Sequence, residues 1–170
     1  MSRKHQSIFV SLLLIGFAYL NLSCFCRGPA LTIDLINKSD IIFSGTLIKI
    51  DTIAEDEIGD NIILTFKPVK VYKGLNENSI SLKSSISSCG FVNETSFNKY
   101  IGNLFLIYTE RNNGYFRYQS CSNRRLFKTP IKTRYYEEYA QEEYKEKIVK
   151  YDSIFSAELI KLDSLIKAGR

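Results

Sequence analysis

Ile41-Ile42-Phe43-Ser44-Gly45-Thr46-Leu47-Ile48-Lys49-Ile50 is the stretch on which the fold turns. Its β-branched and aromatic residues favour a strand. Gly45 in its interior suggests a bend or a close backbone approach, as a strongly curved barrel needs. Upstream, residues 31–37 read as a short helix, and Lys38 to Asp40 as the turn that ends it. Downstream, residues 51–60 are acidic and contain Gly59, so they read as an exposed loop.

Further outward the pattern repeats. Ile62, Leu64 and Phe66 alternate, and so do Val69 and Val71, but on the opposite parity. A strand that changes its buried face has to absorb one residue, which predicts a bulge near Pro68. Tyr72-Lys73-Gly74-Leu75-Asn76 reads as a turn into a third strand over residues 79–83. Leu104-Phe105-Leu106-Ile107-Tyr108 is an apolar run suited to a buried strand. Asn112-Asn113-Gly114 supplies hairpin residues, and residues 115–121 are expected to return as the partner. Five strands at short spacing with few helices between them predict a small, mainly β, five-stranded barrel.

The character changes after Pro130. Residues 135–168 hold no Pro or Gly, and Glu and Lys dominate. Tyr144, Ile148, Tyr151, Phe155, Leu159, Leu162 and Ile166 step by three or four, which predicts one amphipathic helix. Its apolar stripe is expected to pack on the barrel, since little more than three heptads would make a short coiled coil. The expected organisation is an export signal over 1–23, a barrel domain over 24–130 and a helical segment over 131–170.

The signal rests on Arg3, Lys4 and His5 followed by an apolar run over residues 8–20, with Asn21 and Ser23 just before Cys24. The run is too short to span a bilayer comfortably and sits where a signal peptide belongs. The expected location is therefore outside the cytoplasm, secreted or at a periplasmic or cell surface. Removing 1–23 takes Arg3 and Lys4 with it and leaves 21 basic against 18 acidic groups. That excess is small and spread out, which argues against a nucleic-acid partner.

All four cysteines, Cys24, Cys26, Cys89 and Cys121, follow the expected cleavage point. An even count behind an export signal favours two disulfides. The alternative, a structural zinc site, lacks the paired Cys-x₂-Cys spacing. Cys24 also admits a lipid anchor, the one route by which a membrane would become a partner; lipidation would leave three thiols, so the even count weighs against it.

Catalytic chemistry finds little to work with. The only histidine is His5, inside the signal, so Ser-His, Cys-His and His-metal arrangements are excluded from the mature chain. Carboxylate pairs such as Asp56/Glu57 lie in polar surroundings where nothing raises a pKa for acid work, and there is no Gly-rich phosphate loop. The chain is read as a non-enzyme with no cofactor of its own.

The cysteine layout carries a resemblance. Cys24-Phe25-Cys26 opens the mature chain, Ser88-Cys89-Gly90-Phe91 follows the third strand, and Gln119-Ser120-Cys121-Ser122 follows the last. With Ser39-Asp40-Ile41-Ile42-Phe43-Ser44-Gly45, Val69-Lys70-Val71-Tyr72-Lys73-Gly74 and Tyr100-Ile101-Gly102-Asn103-Leu104-Phe105-Leu106-Ile107-Tyr108, this resembles the netrin-like domain, and within it the tissue inhibitors of metalloproteinases. The resemblance covers about residues 24–127 and leaves the helical tail unmatched.

That resemblance implies a netrin-like OB barrel with Cys24 bonded to Cys89 and Cys26 to Cys121; spacing alone cannot choose among the three pairings. It further implies that Cys24, through its backbone amine and carbonyl, takes the open position on the zinc of a target metalloprotease. Phe25 would enter the protease's specificity pocket, with Cys26 anchoring the wedge and Ser87, Ser88 and Cys89 lining a second contact. Phe25 departs from the Thr or Ser usual there, as Arg27-Gly28 departs from the apolar residues that usually follow. The other function in keeping with the resemblance is a non-inhibitory extracytoplasmic protein-binding module, released or lipid-anchored.

Overall fold

The computed structural model describes residues 29–57, 59–74, 76–86, 99–112, 114–118, 124–130, 132 and 134–169. Helix α1 (Ile33–Lys38) leads into strands β1 (Ile41–Thr52), β2 (Ile62–Lys73), β3 (Ile80–Ser84), β4 (Leu104–Asn112), β5 (Tyr115–Arg117) and β6 (Arg124–Phe127), followed by α2 (Arg134–Glu138) and α3 (Gln141–Ala168).

The strands close on themselves. β1 pairs β2, β2 pairs β3, β3 pairs β5, β5 pairs β4, and β4 returns to β1. All these pairings are antiparallel except β3–β5, where Leu82 meets Phe116 and Lys83 meets Arg117 in parallel. This is a closed five-stranded barrel with β6 added on β4, compatible with the OB type in general. The expected fold class holds, with two helices rather than one at the C-terminal side.

Closure needs sharp curvature, and the sequence supplies it at the places expected. On β2 the partners run from Lys70, opposite Ser44, to Pro68, opposite Gly45, so Val69 is the extra residue of a bulge. A Cβ on Gly45 would come within 3.0 Å of the Lys67 carbonyl oxygen and of the Phe43 ring, so glycine is what lets the two strands approach. Gly74, at φ +92°, ends β2; a Cβ there would lie 2.7 Å from the Asp40 carbonyl oxygen.

Two apolar layers result from strand alternation. Ile41, Phe43, Leu47, Leu64, Phe66, Leu82, Phe105 and Ile107 fill the barrel. Phe66 packs edge-on against Phe43 at 5.5 Å and Phe105 at 5.7 Å between ring centres, each such pair worth about 0.5–1.5 kcal/mol beyond burial. The alternate residues Ile42, Leu106 and Tyr108 point outward, where α1 (Leu35, Ile36) and α3 (Phe155, Leu162) cover them. β1 and β4 are thus buried on both faces, which is why they read as unbroken apolar runs. The stripe on α3 packs on the barrel as expected: Phe155 and Leu162 are buried, and Leu159 and Ile166 flank them.

Three expectations need correction. The return strand expected over 115–121 stops at Arg117, because Tyr118 leaves β4 and donates its N–H to the Lys83 carbonyl of β3, 2.9 Å away. Pairing with β4 resumes at Arg124, and the register passes from Glu110↔Arg117 to Tyr108↔Arg124. The helix expected without interruption breaks at Tyr139–Ala140. There the Tyr144 hydroxyl donates to the Pro130 carbonyl at 3.0 Å, and the Tyr136 ring lies 5.5 Å from that of Tyr144, folding α2 back against α3.

The third correction is the disulfide pair. The described residues contain no disulfide, and Cys24, Cys26, Cys89 and Cys121 all lie outside them. The bridges are therefore dropped from the account of what holds the barrel, which here consists of its closed ladder, the two apolar layers and the ion pairs that follow.

Candidate functional site

The export signal and the residues singled out for binding, Cys24, Phe25, Cys26, Ser87 and Ser88, lie outside the described residues. Their immediate flanks do not, and each is fixed to the barrel. Pro29 precedes α1, Ile86 follows β3, Tyr118 follows β5 and Arg124 opens β6.

Arg124 holds the first of these contacts. It sits opposite Tyr108 on β4, so its side chain points to the outer layer, toward α3. Its Nε donates to Glu158 Oε1 at 2.6 Å, its Nη2 to Glu158 Oε2 at 3.1 Å, and its Nη1 to the Pro29 carbonyl at 2.7 Å. This forked geometry is what a planar guanidinium offers a carboxylate and an ammonium does not. The Tyr108 hydroxyl donates to Glu158 Oε1 from 3.3 Å. Burial, reinforced by the Glu158 charge, pushes the Tyr108 phenol far above its ordinary range, so it remains a donor.

A second fork lies on β5. Arg117 on β5 donates from Nε to Asp60 Oδ2 at 2.6 Å and from Nη2 to Oδ1 at 3.1 Å. Asp60 is only 1% exposed, and its own N–H reaches Asp56 Oδ1 at 2.9 Å. Nearby, Asn61 donates its N–H to the Ser84 carbonyl at 3.0 Å and accepts the Ile86 N–H on Oδ1 at 2.8 Å. The Ser84 hydroxyl donates to the Tyr118 carbonyl at 3.0 Å. The Arg125 guanidinium lies over the Tyr118 and Phe127 rings at 5.1 and 5.0 Å, and burial pushes its pKa down. Contacts thus run from Ile86 through Asn61 and Ser84 to Tyr118 and Arg125, while Arg124, on the opposite face of β6, holds Pro29.

This arrangement ties separate segments of the chain to one another. Glu158 and Asp60 each face an arginine fork, both oxygens of each carboxylate accepting from one guanidinium. Among the described residues no group of three or more His, Cys, Asp or Glu is placed to hold a metal. No helix among them is long and apolar enough to cross a membrane. Two open grooves, about 480 and 210 Å³, run along the end of β2 and the turn after it. Pro68, the Val69 bulge and the lysines beside them are features that discourage strand addition at an edge.

No protein-family model matches the chain, and no curated protein matches it at a significant level. A barrel of this type hosts many unrelated functions.

Sequence reading missed the Arg124–Glu158 pair. Glu158 stands three residues after Phe155 and four before Leu162, a slot in the apolar stripe, yet a lone glutamate in a Glu-rich helix reads as solvated. The signal available was that spacing. Its partner, 34 positions earlier on a different element, was not visible without the fold.

Proposed function

We propose that this chain is an exported netrin-like module that acts by binding another protein, using residues 24–28, 87–98 and 119–123, whose flanks are fixed to the barrel. The observation that carries this reading is that β6 holds flanks of two of these segments, Pro29 through Arg124 and Tyr118 through the adjacent Arg125, while Ser84 and Asn61 tie Tyr118 and Ile86 to the end of β3. The ring order with its parallel β3–β5 pair supports the netrin-like resemblance at the level of the barrel. The carboxylates facing arginine forks support binding over catalysis.

A second reading, inhibition of a zinc metalloprotease by the Cys24 amine and carbonyl, draws support from one observation. The Pro29 carbonyl, five residues after Cys24, is fixed by the Arg124 guanidinium, so the chain enters its N-terminal segment from an ordered point. Pre-ordering of this kind is what a backbone wedge needs to bind tightly.

A panel of zinc proteases titrated with the mature protein separates the two, alongside a version carrying one extra Ala before Cys24. The binding-module reading predicts that neither form slows any protease. Stoichiometric inhibition by the first form, lost in the second, would overturn it in favour of the wedge. Mass spectrometry of the mature N-terminus distinguishes a released module, with a free Cys24 amine, from a lipid-anchored one.

A further inference from the structure

We infer that α3 is a latch on residues 29–32, the strap that leads from the proposed contact segment into α1, and that Arg124 and Glu158 are its positioning residues. The functional consequence rests on the binding reading above; the latch itself rests on geometry alone.

Three elements meet at one guanidinium. β6 carries Arg124, α3 supplies Glu158, and the strap supplies the Pro29 carbonyl. Of the five donors on an arginine, two are spent on the Glu158 carboxylate, which fixes the plane of the group. A third is thereby aimed at Pro29. Glu158 is 9% exposed and occupies a slot between Phe155 and Leu162 where an apolar side chain would hold the helix as well or better. What the carboxylate contributes beyond docking is the orientation of the donor that reaches the strap.

The strap also enters the apolar layer to which the helix contributes. Leu31 is buried in the layer that contains Phe155 and Leu162. Thr32 then caps α1, its hydroxyl accepting the Leu35 N–H at 3.2 Å. Ala30, between the two attachment points, is exposed. Displacing α3 would remove the Arg124 orientation and open the layer that holds Leu31, while the barrel interior, which takes no residue from α3, would keep its packing. The coupling is reciprocal by linkage: a partner that grips the strap must tighten α3, and one that draws α3 away must loosen the strap.

Hydrogen exchange on the full mature protein tests this. Arg124→Lys keeps a positive charge beside Glu158 but cannot form the fork and reach Pro29 at once. Glu158→Gln keeps the shape and removes the charge. Exchange at Leu35 and Ile36, whose N–H groups bond the Thr32 hydroxyl and carbonyl at the end of the strap, is expected to rise about tenfold in both, the scale of losing a charge-assisted hydrogen bond, with β2 and β3 amides at Leu64 and Leu82 unchanged. Exchange at Leu35 and Ile36 that stays at the wild-type rate overturns the latch, as does a rise that merely tracks Leu64 and Leu82. Arg124→Lys decides alone should Glu158→Gln fail to fold. The outcome is independent of the protease panel, so failure of the latch and failure of the binding reading are told apart.

Discussion

The two sides of the β1–β4 pair are built on different principles. Inward, Phe43, Phe66 and Phe105 interlock with aliphatic side chains, and the barrel closes around them. Outward, Ile42, Leu106 and Tyr108 meet two helices across a layer interrupted by a buried carboxylate and its arginine. Losing a neighbour inside the ring costs its burial and leaves a cavity. Losing one member of the buried ion pair instead strands the other. The difference locates the part of the molecule that can respond to a partner: the outer layer and the strap it holds.

The largest effect should come from the inner side. Phe66→Ala removes the ring that bridges Phe43 and Phe105 and should cost about 3–5 kcal/mol, read as a lowered urea midpoint with every probe shifting together. If α3 signals melt before barrel signals in this variant, the two layers are less coupled than their shared strands imply.

Next comes the outer pair. Glu158→Ala should cost about 2–4 kcal/mol, discounted because Arg124 is partly exposed. The double variant Arg124→Met, Glu158→Leu should recover most of that loss. Denaturation of all three variants checks this; a double variant as weak as the single would mean that the pair stabilises the layer through its charge.

The smallest effect is a pH dependence. Tyr108, Tyr72, Tyr118 and Tyr144 all have phenols raised by burial. In the unfolded chain these groups ionise near pH 10. Below that both states are protonated and the stability is fully present. Above it the unfolded state loses protons that the native state keeps, so stability falls as pH rises. The expected slope is about 1.4 kcal/mol per pH unit for each tyrosine still protonated. Tyr108→Phe should flatten the fall in melting temperature between about pH 10 and 11; an unchanged slope would remove Tyr108 from this explanation.

What the sequence made legible divides along the same line. The inner layer follows from local pattern: β-branched runs place the strands, the parity flip between Phe66 and Val69 announces the bulge, and Gly45 marks the close approach. Features set by contacts between distant residues were hidden. Tyr118 continues the alternation of its strand, and only the Lys83 carbonyl on β3 diverts it. Tyr139 and Ala140 carry no helix-breaking chemistry, and the break comes from Tyr136 and Tyr144 packing together. Glu158 reads as solvated until Arg124 is placed opposite. The candidate site was chosen by resemblance at Cys24, Phe25, Cys26, Ser87 and Ser88, while the described structure contributes the residues that frame it.

Site-directed photocrosslinking in the native host tests the central claim most directly. A crosslinking side chain is placed at Ala30, exposed on the strap, and separately at Ile160, which is 72% exposed on α3. The account predicts one defined protein adduct from position 30 and none of that mass from position 160. Adducts of equal yield from both positions, or none from position 30 in a folded, exported protein, would contradict it.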